Sequence, residues 1–386
     1  MTRLTLVLIA ILALGQIEAE AQVVSEVVDV LELEEASDHL TSILQLIADS
    51  RGGAWALDTG THGVIRFSET GEMLVFGREG EGPGEFERPW RMSLVRDTLW
   101  VVDTGLDRIT GLDPISGEPL GTIGGGPLWR SLPEAGQRSL APVGVTEVGV
   151  LVVIDDGGTG LDLVLLSRDE AGERLDLLNL ERPDENLPVV VPGHANPIRI
   201  SNPFSNSDLL ALDHYGRYAG RVRQRPSFEV EVVSLGGAVG REVIPWPLER
   251  REVTDQERAV WLASQWYSSD FVEAGFFPTE EAARKAVESA LRTDMKPVVR
   301  RLTRGVFDRT VFFDEDGYLW HQDWSVGEAP RRWYRLSAEG RSLEFTLEDG
   351  EILLDITGRF LWKQRYDSLD VPHLTRVELS GSGHLP

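Results

Sequence analysis

The feature that most constrains this chain is that it repeats itself. The stretch GGAWALDTGTHGVIRFSETGEMLVFG begins at Gly52 and DTLWVVDTGLDRITGLDPISGEPLGTIG begins at Asp97; Trp55 falls on Trp100, Asp58 on Asp103 and Gly60 on Gly105, each 45 residues apart. Phe67 falls on Leu112, and the turn glycines Gly71 and Gly117 come next with a slip of one residue. A repeat of roughly 40–50 residues means one supersecondary unit that cannot bury its apolar face alone and stacks on copies of itself. Weaker copies lie further along the chain. Asp155 and Asp213 take the Asp58 position in GVLVVIDDGGTG and DLLALDHYGRYAG, and two further copies place Trp320 and Trp362 42 residues apart. That makes six units.

Each unit reads as four short strands. In the first, LQLIAD, AWALD, VIRFS and MLVFG are separated by glycine-rich turns. Strands of about five residues, rich in β-branched and aromatic side chains and punctuated by Gly or Asp-Gly, signal an antiparallel meander. Six such units predict an all-β chain, a six-bladed β-propeller. The last unit runs out after its third strand, LTRVEL. The alternating stretch at about 24–34, ending in VVDVLEL, is the strand expected to complete that sixth blade and hide an edge that would otherwise invite aggregation.

GREGEGPGEF, Gly77 to Phe86, is the one stretch that could instead cradle a phosphate. Its chemistry argues against that: no Gly-Lys pair comes after it, and Glu79, Glu81 and Glu85 would repel an anion. It reads instead as the crossing from the outer strand of one blade to the inner strand of the next, with glycines for the tight turns. Together with the second repeat unit it resembles the NHL repeat, the match lying on Gly82, Gly84, Phe86, Pro89, Val101, Asp103, Arg108 and Ile109. The resemblance is good over roughly residues 40–125 and only patterned beyond. It implies a six-bladed propeller of the NHL/TolB-like kind.

Between Asp213 and Trp320 lie 107 residues, about twice one period. The surplus, about 249–296, carries a capping box at Thr254 and Glu257 and a second cap at Thr279, with Ala283, Val287, Ala290 and Leu291 at helical spacing. A helical hairpin is therefore expected between blades four and five.

Composition places the chain in a compartment. The first residues, MTRLTLVLIAILALGQIEAEAQ, join a basic start to an apolar run from Leu4 to Leu14 and an Ala-Glu-Ala site at 19–21. That run is too short for ~30 Å of hydrocarbon and reads as a secretory signal peptide over 1–21, leaving the propeller in 22–386. With no cysteine, neither a lipobox nor a disulfide is available, so a periplasmic or secreted protein without membrane insertion is expected. A net charge of −25 argues against nucleic acid and anionic lipid as partners.

Chemistry is less legible. There is no His-Glu-x-x-His, Gly-x-Ser-x-Gly, Walker or EF-hand pattern, no cofactor is expected and no catalytic residue is assigned. On this register Asp58, Asp103, Asp155 and Asp213 end second strands, where a carboxylate fixes the next loop. His62, His214 and His321 also come after second strands, but separate blades hold them apart, so no metal site is assigned. Arg217, Arg221 and Arg223, with Arg300 and Arg301 beside the insertion, are candidates to hold a carboxylate or phosphate group, assisted by His214, His321 and a stacking Trp324. The competing account pairs these arginines with the abundant Asp and Glu. The expected function is an exported, non-catalytic binding or scaffold propeller. It would take an envelope protein, peptide or glycan at the channel-mouth face formed by the crossings between blades. The alternative is a metal-dependent hydrolase or lyase of the lactonase or amidating-lyase propeller type, with a divalent cation in the channel. Exported protein should begin at Gln22, which intact-mass measurement of the mature chain checks; a product retaining residues 1–21 would remove the signal-peptide assignment.

Overall fold

A computed structural model of the chain describes residues 27–33, 40–124, 139–155, 160–167, 173–181, 186–201, 208–223, 229–236, 239–245, 254–263, 267–293, 311–322, 331–337, 340–348, 350–368 and 371–379. Within them, six four-stranded antiparallel sheets form a six-bladed β-propeller. The inner strands, which line the central channel, are Ile43–Ala48, Pro89–Val95, Ser139–Val145, Leu209–Leu212, Val311–Phe313 and Glu351–Thr357. In blades one to five the remaining strands run outward in chain order. In blade six Phe360–Tyr366 and Pro372–Leu379 come next, and the outer place is taken by Val27–Glu32, paired antiparallel with Pro372–Leu379.

The ring forms because the strands nearest the channel present apolar side chains on both faces. In the first inner strand Leu46 enters the core shared with blade six, while its neighbour Ile47 enters the core shared with blade two. Ala54 and Ala56 of the next strand face blade six, and Trp55 and Leu57 face blade two. Small residues on one side make room for a large one opposite: Trp362 of blade six is fully buried in the core that holds those alanines, with its ring centroid 5.8 Å from that of Phe67. Each neighbouring pair of blades, from one–two around to six–one, shares one such core. Full burial of each large apolar side chain contributes about 1.5–3 kcal/mol. Since every blade is sandwiched, none can leave without exposing two cores.

The aspartates that end second strands act as the repeat spacing predicts in blades one and two. Asp58 is buried, and its carboxylate accepts four backbone N–H groups: Thr41 and Ser42 from the incoming chain, Gly60 and Thr61 from its own loop. Asp103 does the same with Glu87, Arg88, Gly105 and Leu106. One carboxylate thus joins the second-to-third loop to the crossing from the preceding blade. GREGEGPGEF is such a crossing, from Met73–Phe76 to Pro89–Val95. Arg108 holds it through the carbonyls of Glu81, Gly82 and Glu85, and Phe86 is buried beneath.

Blade four corrects the expected register. Asp213 does not end a second strand; it closes the inner strand Leu209–Leu212 and opens the turn to Tyr218–Arg223. The inner strand is only four residues long, so the repeat pattern falls on the wrong aspartate. His214 comes after that first strand, and His321 lies inside a second strand, Leu319–Gln322, so His62, His214 and His321 do not gather on one face.

The insertion between blades four and five contains three helical segments where the spacing predicts two: α1 (Asp255–Ala263), α2 (Tyr267–Glu273) and α3 (Glu280–Thr293). Thr254 and Glu257 form the capping box, and Thr279 Oγ1 accepts the Ala282 N–H. Helix α3 buries Ala283, Val287, Ala290 and Leu291 against Val189, Val191 and Ile200. Those last three belong to a β-hairpin, Asn186–Val189 and Ile198–Ser201, and its turn, in the connection between blades three and four. The repeat pattern contains no hint of it. Two inter-blade connections therefore build a small core of their own outside the ring.

Replacing Asp58 by alanine strands four backbone donors at a seam between loops. The expected loss is about 2–4 kcal/mol of unfolding free energy, read by urea denaturation, with Asp58→Asn retaining part of it. A loss below about 0.5 kcal/mol, the size of an ordinary surface change, would show that the carboxylate does not hold the loops.

Candidate functional site

Three of the first-to-second-strand turns share the pattern Asp-x-x-Gly: Asp49 to Gly52, Asp213 to Gly216 and Asp314 to Gly317. In each, the glycine sits at positive φ and its N–H donates to the aspartate carbonyl at 2.8, 3.1 and 3.0 Å respectively. These turns surround one mouth of the channel, opposite the end that carries the crossings.

The blade-four turn reaches across that mouth. Tyr215 Oη donates to Ala48 O of blade one at 2.7 Å, and His214 O accepts the Leu94 N–H of blade two at 2.8 Å. Gly216 lies so close to blade three that a Cβ there would stand 2.4 Å from Val145 O. The orientation of the His214 ring is set by Gln45. Gln45 Oε1 accepts the Met92 N–H and Nε2 donates to Met92 O, so the second Nε2 proton goes to His214 Nδ1 at 2.8 Å. Nδ1 is thereby an acceptor, and the imidazole proton resides on Nε2.

Polar side chains tie neighbouring blades together, all but the Asp208 contact on the side of this mouth; Asp208 precedes its inner strand and sits at the crossing end. Gln45 links blades one and two. Ser93 Oγ accepts the Val145 N–H between blades two and three. Asp208 accepts the Glu181 N–H between three and four. Arg217 donates to the Glu315 and Asp314 carbonyls between four and five. Thr357 donates to Glu315 between five and six, and Asp355 Oδ2 accepts the Ala48 N–H between six and one.

The cost of collecting acids here appears in their proton affinities. Burial raises the Asp355 carboxyl well above the usual range, and the nearby charges of Asp314 and Asp213 add to the rise. Burial also raises Asp314, to about 6; Trp320 Nε1 and the Tyr318 N–H, which both donate to it, act in the opposite direction. Tyr215 is pushed up by burial and by Asp355, Glu315 and Asp213.

Beside Tyr215 a cavity of about 360 Å³ opens between the turns of blades one and two. Its apolar wall comes from Trp55, Leu94, Pro114, Ile115 and Tyr215, and carboxylates and two arginines stand along it. Trp55 is locked by donating Nε1 to Pro114 O at 2.8 Å. A second cavity, of about 390 Å³, lies at the other end of the ring over blade six, beside the seam with the N-terminal strand.

Among the described residues singled out from the sequence, His214 and Arg217 share the blade-four turn and the others stand apart. Arg217 pairs with Asp213 at 2.8 Å and lies between the rings of Tyr215 and Tyr218. Arg221 pairs with Glu231 at 2.5 Å and donates to Asn179 O, and Arg223 pairs with Glu229. Arg217 and Arg223 stand at opposite ends of one strand, about 20 Å apart from the strand rise, so the three do not share the face expected for them. His321 is buried and stacked on Tyr334 at 5.3 Å between centroids. Trp324, Arg300 and Arg301 lie outside the described residues. Tyr215, Gln45, Glu315 and Asp355 were not anticipated. The recurrence of Asp-x-x-Gly at 49, 213 and 314 is the signal that could have drawn attention to the turns.

Neither a protein-family model nor a curated protein matches the chain. Among solved structures it is similar to an exported protein from Bacteroides fragilis, at 10% identity over 95% of this chain and 98% of that one, with a TM-score of 0.47. It is also similar to the calcium-binding protein regucalcin from Agrobacterium tumefaciens (11% identity, 91% and 94% covered, TM-score 0.40) and to virginiamycin B lyase from Staphylococcus aureus (10%, 91% and 98%, 0.36). Among the described residues no group of three or more metal-ligating side chains comes together, and no helix is long and apolar enough to cross a membrane.

Asp314 keeps its proton in the folded chain up to about pH 6, against an ordinary value of 3.8. The stability this contributes is complete below about pH 4 and is lost as pH rises through about 6. Asp314→Asn, a mimic of the protonated form, should therefore gain on wild type by about 2–3 kcal/mol between pH 4 and pH 7 in urea melts. A difference independent of pH would mean that the carboxyl titrates as a surface group.

Proposed function

We propose that the mature protein is an exported, non-catalytic binding propeller that holds an envelope partner, peptide or glycan at the channel mouth beside Tyr215. The observation that carries this reading is the pairing of a rigid cavity with a channel end whose polar groups are already engaged. Gln45, Ser93, Arg217 and Asp355 each join one blade to another, so their geometry serves the ring. The cavity, in contrast, presents an apolar wall fixed by Trp55 and Tyr215 with charged groups at its edge, the usual make-up of a recognition site. Its place differs from the one the repeat pattern suggests, since it lies at the mouth formed by the first turns and not among the crossings.

A photocrosslinking residue distinguishes this site from the rest of the surface. Installed at Ile115, on the exposed rim, it should capture a defined envelope component; installed at Val243, on the outer strand of blade four, it should not. Equal capture from both positions removes the cavity as the site. Stoichiometric divalent metal in the purified protein, with hydrolysis of a lactone or ester that chelation abolishes, would replace the binding reading with the metal-dependent one.

A further inference from the structure

We infer that the cavity beside Tyr215 takes a cation carried on an apolar stem, an alkylammonium or guanidinium group, and this rests on the cavity being the binding site. The wall is the first reason. Trp55, Leu94, Pro114 and Ile115 give an apolar floor for methylenes, and a cavity of about 360 Å³ suits one side chain with part of its backbone, not a folded domain.

The charges around that wall do not balance once existing partners are subtracted. Arg51 is bound to Asp49, which receives its Nε and Nη2 at 3.2 and 2.8 Å as well as its backbone N–H. Arg96 is bound through Nε and Nη2 to Glu147 at 3.0 and 2.9 Å. Both guanidiniums that line the cavity thus already have a carboxylate. Three carboxylates retain open acceptor positions. Asp97 is exposed and has no side-chain partner among the described residues. Asp113 uses Oδ1 for the Ile115 and Ser116 N–H groups, which leaves Oδ2. Glu315 uses Oε2 for Thr357, which leaves Oε1. The uncommitted charge of the cavity is therefore negative, and an entering cation would gain a charge-assisted hydrogen bond over an apolar floor. An anion would meet only guanidiniums whose charge a carboxylate already offsets, and would stand against the open carboxylates. An uncharged apolar group would cover the carboxylates without pairing them.

A free diamine and a lysine or arginine side chain of a peptide present the same chemistry, and the probes separate them. The mature protein, residues 22–386, is titrated at low salt with capped tripeptides of Gly-X-Gly, where X is lysine, arginine, norleucine or glutamate, and with cadaverine. Binding is read by calorimetry and by tryptophan fluorescence. The lysine and arginine peptides should bind at least about tenfold tighter than the norleucine and glutamate peptides, and should weaken as salt screens the carboxylates. Asp97→Asn, an exposed change that leaves the ring intact, should lower their affinity at least about threefold. Cadaverine binding as tightly as the lysine peptide assigns the site to free amines; a preference for the peptide assigns it to a basic chain. Norleucine or glutamate binding equally well, or an unchanged affinity in Asp97→Asn, overturns the cation inference while leaving the cavity as a site. If no probe binds while Ile115 still crosslinks a partner, the cation inference alone falls. If neither happens, the proposed function falls with it.

Discussion

The structure depends on six polar contacts between neighbouring blades. An inner strand of a closed ring has its outer edge paired within its own blade and its inner edge turned to a narrow channel. Side chains from these strands and their turns satisfy the backbone groups left at the seams. Gln45, Ser93, Arg217 and Asp355 do this at four seams, Asp208 meets the end of an outer strand at a fifth, and Glu315 takes the Thr357 hydroxyl at the sixth. Each is a modest interaction, contributing about 0.5–1.5 kcal/mol when made and costing about 1–3 kcal/mol when one partner is left stranded. Their weight lies in register. An apolar core between sheets tolerates sliding, whereas a carboxylate that must meet one particular N–H does not.

That requirement explains the electrostatic oddities of the channel. Asp355 and Asp314 are held where burial favours their protonated forms, because removing them would leave the Ala48 and Tyr318 N–H groups and the Trp320 indole without acceptors. The blade-four turn is the other consequence. By reaching across to blades one, two and three it fills the mouth, and the space left beside Tyr215 is the cavity. The same residues that stabilise the ring thereby decide where a ligand can sit.

Much of the fold was legible. The 45-residue spacing of Trp55 and Trp100 and of Asp58 and Asp103 marks second strands, and the loop role expected of those aspartates is the one they have in blades one and two. The glutamates of the Gly-rich segment at 77–86 argue against a phosphate loop, and the segment is a crossing with Phe86 buried beneath it. Legibility failed where strand length varied. Blade four begins with a strand of only four residues, so Asp213 imitates Asp58 in pattern while belonging to a different turn. The candidate site was hardly legible at all: its parts, Trp55, Leu94, Pro114, Tyr215 and Glu315, are spread over residues 55 to 315 with no common spacing.

The sequence by itself determined the architecture, since strand identity and the number of sheets are set by local apolar alternation and glycine turns, which act over a few residues and recur in every unit. Only the tertiary structure decided which carboxylate meets which arginine, which turn crosses the channel and where a cavity remains. Those outcomes depend on closing the ring, which brings Tyr215 to Ala48 and Asp355 to the same residue from the other side of the chain. No local rule encodes a distance that exists only after six sheets have packed against one another.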